Sequence, residues 1–357
     1  MHGRRLVTWS VISAGALATM GGCVVDGWGP QFKFERTVEL QQVLAPGTTL
    51  AVETASGSID ATGGPTDRAQ VVATITARAG SEEAAQELAE KVEIHFQEAA
   101  GKVVLKAEKP ALVSPQSISI SYQMDVPRPT SLECHSASGS IAVRDLDGKV
   151  NAHTASGSVE AVRIKGSVRL ASSSGSAHAE QVEGGDVRLD SASGSVRLAN
   201  ASGLGSCALH TASGSAAARE VKAGSIKLSS ASGPVTLTDA QAQSIDLHSS
   251  SGGVKAEALH CSRLKAESVS GGVSVAWVPT APPNVVAELG SGSGSINAAL
   301  PQGFAGQVDL STASGAIHID QPVTVQGTLG RRRVTGTIGE GSGRLSAHTA
   351  SGSIHVH

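Results

Sequence analysis

The hexapeptide Thr54-Ala55-Ser56-Gly57-Ser58-Ile59 recurs along this chain, and the interval between its copies constrains the fold more than any other feature. After Gly57, the glycine of each copy falls at Gly139, Gly157, Gly175, Gly194, Gly214, Gly233, Gly252 and Gly271, at intervals of 18, 18, 19, 20, 19, 19 and 19 residues. Gly294 and Gly315 follow at 23 and 21, a degenerate unit surrounds Gly336, and Gly352 closes the series. A fixed period near 19 is the signature of a solenoid, in which each unit buries its apolar face only against its neighbours.

The register is legible inside a unit. Across Val187 to Leu198, apolar and polar residues alternate on both sides of the corner, so Val187, Leu189, Val196 and Leu198 point inward while Arg188, Asp190 and Arg197 point out. The same inward columns recur as Ile226, Leu228, Val235 and Leu237. The expected class is therefore an all-β solenoid with rungs of about 19 residues. Aromatics make up only 2% of the chain against 40% hydrophobic residues, so its core must be built from Val, Leu, Ile and Ala. The 42 glycines are patterned rather than scattered, which excludes a disordered low-complexity body.

The corner has its own chemistry. The residue before each glycine is serine in all twelve copies, and the residue two positions earlier is always Ser or Thr, as in Thr154, Ser191 and Thr349. The expectation is a glycine at positive φ, with stacked hydroxyls bonding turn amides and each other. Read as function, such a hydroxyl array would suit ice or glycan; read as structure, it satisfies a corner.

Before the repeats, Arg4 and Arg5 precede an apolar run from Leu6 to Met20, and Met20-Gly21-Gly22-Cys23 closes it. The run is short for a membrane span and fits an export signal. Its end resembles a lipobox, which makes Cys23 the expected lipid attachment site, and Val24 after it points to the outer membrane in a Gram-negative cell. The expected organisation is a signal peptide over 1–22, a tether over 23–36, an N-terminal β cap over 37–134 and solenoid repeats over 135–357. One helix is expected at 81–92, capped by Ser81 and carrying an Ala84, Leu88, Val92 stripe. Cys134, Cys207 and Cys261 are odd in number and irregular in spacing, so they form no disulfide framework or zinc pattern. A formal net charge of −3 gives no basis for nucleic-acid binding.

The entry strand into Thr54–Ile59, the helix, the Val126-Pro127-Arg128 break and the ending Gly336-Thr337-Ile338-Gly339-Glu340-Gly341 before Thr349–Ile354 together carry a specific resemblance. Over about residues 37–357 the chain looks like the bacterial putative-adhesin β-strand-repeat family, a domain of unknown function whose members carry a signal or lipid anchor. The resemblance implies a right-handed, pectate-lyase-like β-helix and no chemistry. Here Ala-Ser-Gly-Ser stands where the family often has Asn-Gly-Asp, which makes this corner less acidic.

Among candidate sites, His135, His153, His210, His248 and His348 share one outward column, with His135 and His153 on successive rungs. The pair is a surface site without a third ligand, because the column continues through Ala171, Asp190, Ser229 and Glu267. Arg169, Arg188, Asp190 and Arg197 form a cluster with one carboxylate, too few for glycoside hydrolysis. Gly184-Gly185-Asp186 occurs once, Arg331-Arg332-Arg333 reads as solvated surface, and Gly290-Ser291-Gly292-Ser293-Gly294 lies in the turn repeat without the following helix that a nucleophile elbow requires. The expected function is an exported, lipid-anchored envelope adhesin or scaffold that is not an enzyme and uses no cofactor or metal. Its expected partners are the membrane, through the lipid, and an envelope polysaccharide or protein. A polysaccharide-active β-helix enzyme and a self-assembling envelope scaffold are the alternatives.

Overall fold

The structure is a computed structural model that describes residues 32–99, 101–325 and 330–357. Among those residues, 27 strands and one short helix form two compact units that divide between Ser158 and Val159. The chain is a β-solenoid, as its period requires. Cys23 and the signal segment lie outside the described residues.

The first unit runs through β1 (Phe32–Val43), β2 (Thr49–Thr54), β3 (Ile59–Gly64), β4 (Arg68–Ala79), α1 (Glu82–Glu90), β5 (Glu93–Ala99), β6 (Lys102–Glu108), β7 (Ser117–Pro127), β8 (Ser131–Ser136), β9 (Ile141–Leu146) and β10 (Val150–Thr154). Two expectations are corrected here. β1 begins inside the supposed tether over 23–36, pairing antiparallel with β4 from Phe32↔Ala79 to Val43↔Arg68. Leu40 is its one buried residue, so no alternation announces it. The boundary at 134/135 falls within β8, because β2 and β3 already form a full rung. Leu50 and Val52 stack on Leu132 and Cys134, and Ile59 stacks on Ile141. The intervening chain returns to cover the other side of that first rung, with β6 parallel on β2 and β7 parallel on β3. β4 then closes on β7, and β5 on β6, both antiparallel. An uncovered parallel edge would template pairing with another chain, and these strands cover it.

Ser81 caps α1 as expected, its hydroxyl accepting from the Ala84 N–H at 3.1 Å. The buried stripe is Ala85, Leu88 and Ala89, one residue off the predicted face, and the helix stops at Glu90. Arg36 donates to the carbonyls of Ala89 and Val92 at 3.1 and 3.2 Å, which places a cation at the negative helix end.

The second unit continues with β11 (Val159–Lys165), β12 (Val168–Ser172), β13 (Ala177–Glu183), β14 (Val187–Ser191), β15 (Val196–Thr211), β16 (Ala216–Ser230), β17 (Val235–Ser249), β18 (Val254–Ser268) and β19 (Val273–Trp277). It ends with β20 (Val286–Ser291), β21 (Ile296–Ala299), β22 (Gly306–Thr312), β23 (Ile317–Ile319), β24 (Thr324–Val325), β25 (Arg333–Ile338), β26 (Gly343–Thr349) and β27 (Ile354–Val356). The inward columns are those the alternation specifies: Val187, Leu189, Val196 and Leu198 are buried and Arg188 and Arg197 are exposed. Like stacks on like through the register, Ile226 on Cys207 and Ile245 on Ile226, with each buried aliphatic contributing about 1.5–3 kcal/mol.

The end of this unit is not stacked in sequence order. β26 and β27 lie between the rung of β20 and β21 and the rung of β22 and β23, so the closing copy at Gly352 is the penultimate rung. The degenerate unit at Gly336 is no rung. It lies in β25, which runs antiparallel on β22, and β24 pairs antiparallel with β25.

Candidate binding surface

The corner glycines do not serve the role that turn chemistry suggests. Gly57 has a φ of 123°, but the other corner glycines are not among the positive-φ residues. What they provide is close approach. A Cβ on Gly233 would lie inside the van der Waals envelope of the Gly214 carbonyl, one on Gly252 would meet Gly233, and one on Gly271 would meet Gly252. The hydroxyl three positions earlier is buried and bridges two rungs. From Ser191 to Ser291, six such hydroxyls each accept from their own rung's glycine N–H at 2.7–3.1 Å. Each also donates to the preceding rung's glycine carbonyl at 2.8–3.0 Å. These hydroxyls bond the backbone rather than one another. The serine before each of these glycines, such as Ser193, Ser232 or Ser251, is exposed.

Other sequence candidates resolve into structure. His135 and His153 are register partners with ring centroids 6.2 Å apart and planes tilted by 56°. No group of three or more metal-ligating side chains occurs among the described residues. His210 shares a hydrogen with Ser229 at 2.9 Å, and His348 sits between Ser311 and Ser346 at 2.7 and 2.8 Å. A stacked pair that the column did not contain, His318 and His355, has centroids 5.2 Å apart. Arg188 forks onto Asp190 at 2.7 and 3.2 Å, and that carboxylate raises the guanidinium's affinity for its proton. Asp186, after the two left-handed glycines 184 and 185, staples the N–H and hydroxyl of Ser206 at 2.9 and 2.7 Å. Ser291, in the Gly290–Gly294 run, is a buried corner hydroxyl.

The three described cysteines are buried and free. Burial pushes the Cys134 and Cys207 thiols up to about 12 and Cys261 to about 11, the last partly offset by Trp277. None is a nucleophile at neutral pH. Because the folded values lie above the unfolded value of 9.0, the stability linked to protonated Cys134 and Cys207 is complete below about pH 9 and is lost as pH rises toward about 12. Native protein at pH 8 is expected to leave all three unreacted with a thiol reagent and to release all three on denaturation. Rapid reaction of any one in the native state would contradict their burial.

A second corner escaped the sequence reading. Six residues after successive corner glycines, the backbone turns left-handed at non-glycine residues: Asp145 in the first unit, then Arg163, Gln181, Asn200, Glu220, Asp239 and Ala258 in the second, with φ of 51–60°. The bend residue drops out of the ladder, which passes from Ala199↔Arg219 to Ala201↔Val221. The signal was available. Inward residues fall at the second, fourth and seventh positions after the glycine, as in Val196, Leu198 and Ala201, so two consecutive residues face out and the period of two slips by one.

This bend folds the second unit's surface into an open groove of about 530 Å³. Asn200, Glu220 and Asp239 line one side from the bend itself, and Ser202, Lys222, Gln241 and His260 line the other from the strand beyond. Buried Ala201 and Ala240 form a flat floor between them. Glu220 pairs with Arg219 at 3.6 Å.

Matches to the sequence pattern of one family, Toastrack DUF4097, cover residues 48–206 and again 203–357. The chain belongs to the Toastrack family. Two overlapping matches fit a repeat, since the pattern can be laid along the rungs twice. No curated protein matches this Toastrack chain. Among solved structures, a "putative adhesin" from Parabacteroides distasonis ATCC 8503 is 12% identical over 90% of this chain and 97% of its own, with a TM-score of 0.38. A "putative lipid binding protein" from the same organism is 12% identical over 90% and 96%, at a TM-score of 0.32. A "putative cell adhesion protein" from Clostridium sporogenes ATCC 15579 is 10% identical over 90% and 99%, at 0.24. Superpositions this loose carry no argument about what the Toastrack solenoid binds.

Proposed function

We propose that this chain is an exported, lipid-anchored Toastrack solenoid of the cell envelope that works as an adhesive or scaffolding module and not as an enzyme. The observation that carries the anchoring is the basic, apolar and small-residue succession from Arg4 to Cys23. No helix among the described residues is long and apolar enough to cross a membrane, so attachment through the lipid is the route this reading relies on. The non-catalytic reading is supported by the side chains. The buried thiols are held protonated, and the groove carboxylates Glu220 and Asp239 are both exposed, with Glu220 paired. A general acid needs a desolvated carboxyl, which an exposed site does not supply.

Labelling cells with radioactive palmitate tests the anchor. The wild-type chain is expected to take up label and fractionate with membranes, and Cys23→Ala to lose both. Equal labelling of the two proteins would refute it.

A further inference from the structure

In the groove beside the left-handed bend, side chains of the second unit converge on open space, and the corner chemistry does not account for it. Its floor is continuous, because Val221 pairs with Ala240 and Ala240 with Leu259, so every strand beneath it has a neighbour. A peptide adding itself as a strand needs a free edge, and a docking helix needs an apolar trench. The groove offers neither. Its walls carry amide, hydroxyl, carboxylate, ammonium and imidazole groups, with Ala258 apolar at the fourth bend, on rungs about 4.8 Å apart. That rise is close to the length of one hexose in an extended glycan, so successive sugars would meet successive rungs.

The backbone supports a role for these side chains. A non-glycine residue in the left-handed region costs about 1–2 kcal/mol, and this chain spends 42 glycines elsewhere. Yet the bend holds Asn200, Glu220 and Asp239, whose side chains line the groove. Lys222, Asp239, Gln241 and His260 make no side-chain hydrogen bond or ion pair among the described residues, so their bonding capacity remains available. Two carboxylates and one ammonium leave the lining with a net charge of −1, which disfavours an acidic polymer.

We infer that the groove from Asn200 to His260 binds a neutral glycan chain laid along the stacking direction, one hexose unit per rung. This rests on the reading of the chain as a binding module and names its ligand class. With no aromatic platform in the groove, each site is weak, and affinity comes from several rungs engaged at once.

The test uses the full mature chain with Cys23→Ser, titrated with cellohexaose, fully N-acetylated chitohexaose, a hexauronate and a hydrophilic peptide of similar length. Calorimetry is combined with backbone amide shifts. The expected result is saturable binding of a neutral hexasaccharide, shifts at Ser202, Lys222 and Gln241, and affinity at least about tenfold weaker for the matching disaccharide. The double variant Asp239→Asn, Gln241→Ala is expected to weaken binding about tenfold, and Arg197→Ala to leave it unchanged. Failure of both neutral hexasaccharides at millimolar concentration, preference for the peptide or the uronate, or indifference to the double variant would overturn the assignment. Palmitate labelling of Cys23 is independent of this outcome, so a wrong ligand and a wrong anchor are separable.

Discussion

Gly252→Ala is expected to destabilise the solenoid by about 4 kcal/mol, while Gly253→Ala, one residue on, changes stability by less than about 1 kcal/mol. The two glycines share a corner and neither is at positive φ, yet their surroundings differ. A methyl on Gly252 runs into the Gly233 carbonyl and the Pro234 nitrogen, which are backbone atoms of the rung below and cannot swing aside. A methyl on Gly253 meets only the Gly272 oxygen at 3.5 Å, an ordinary contact. Gly253→Ala can even stabilise, since it restricts the unfolded chain at no steric cost. Relieving the clash at Gly252 would push two rungs apart at the corner and stretch the ladder bonds of β17 and β18. Chemical denaturation of both variants is the measurement. Because stacked rungs can unravel in parts, the midpoints of each transition must be compared rather than one extrapolated free energy. Equal midpoints for the two variants would remove close approach as the reason for the corner glycine.

The same contrast explains why sequence alone points to the wrong role for the corner glycine. Glycine in a turn suggests positive φ, and a single chain segment cannot reveal that the crowding comes from the adjacent rung. The inward columns were legible because alternation depends only on near neighbours: Val187, Leu189, Val196 and Leu198 face the core as their spacing requires. The left-handed bend was legible in principle, through the slip between Leu198 and Ala201, but the eye follows the period of two past it. Stacking order was not legible. Gly57 and Gly139 are 82 residues apart, yet their strands are direct partners, while the Gly336 segment imitates a rung and pairs antiparallel instead. In a parallel ladder every rung presents nearly the same apolar face, so the local pattern says that a strand stacks without saying on which rung. Of the candidate sites, His135 and His153 do meet, but the groove was invisible because its walls come from four rungs and from positions that look like unremarkable surface in any one of them.

The hydroxyl three residues before the glycine carries the second large effect, and it separates two serines that the motif presents as equals. Ser249 is fully buried, donates to the Gly233 carbonyl at 2.9 Å and accepts from the Gly252 N–H at 2.9 Å. Ser249→Ala would leave a donor and an acceptor without partners at a corner that packing closes to water. An unsatisfied buried polar group costs about 1–3 kcal/mol, so with some relaxation the pair sums to about 3 kcal/mol. Ser249→Thr keeps the hydroxyl, and Thr154, Thr211, Thr312 and Thr349 already make the same bridge, so it is expected to be within about 0.5 kcal/mol of wild type. Ser251 is exposed, and Ser251→Ala belongs in the same neutral range. The ordering Ser249→Ala far below Ser251→Ala and Ser249→Thr, read from denaturation midpoints, distinguishes a backbone bridge from a surface hydroxyl array. If Ser251→Ala proved the more damaging, the exposed column would be carrying structure that its geometry does not show. With the expected order, the repeated motif is a device for holding neighbouring rungs at ladder spacing, which leaves the variable side chains beyond it, at the bend, as the surface able to discriminate a ligand.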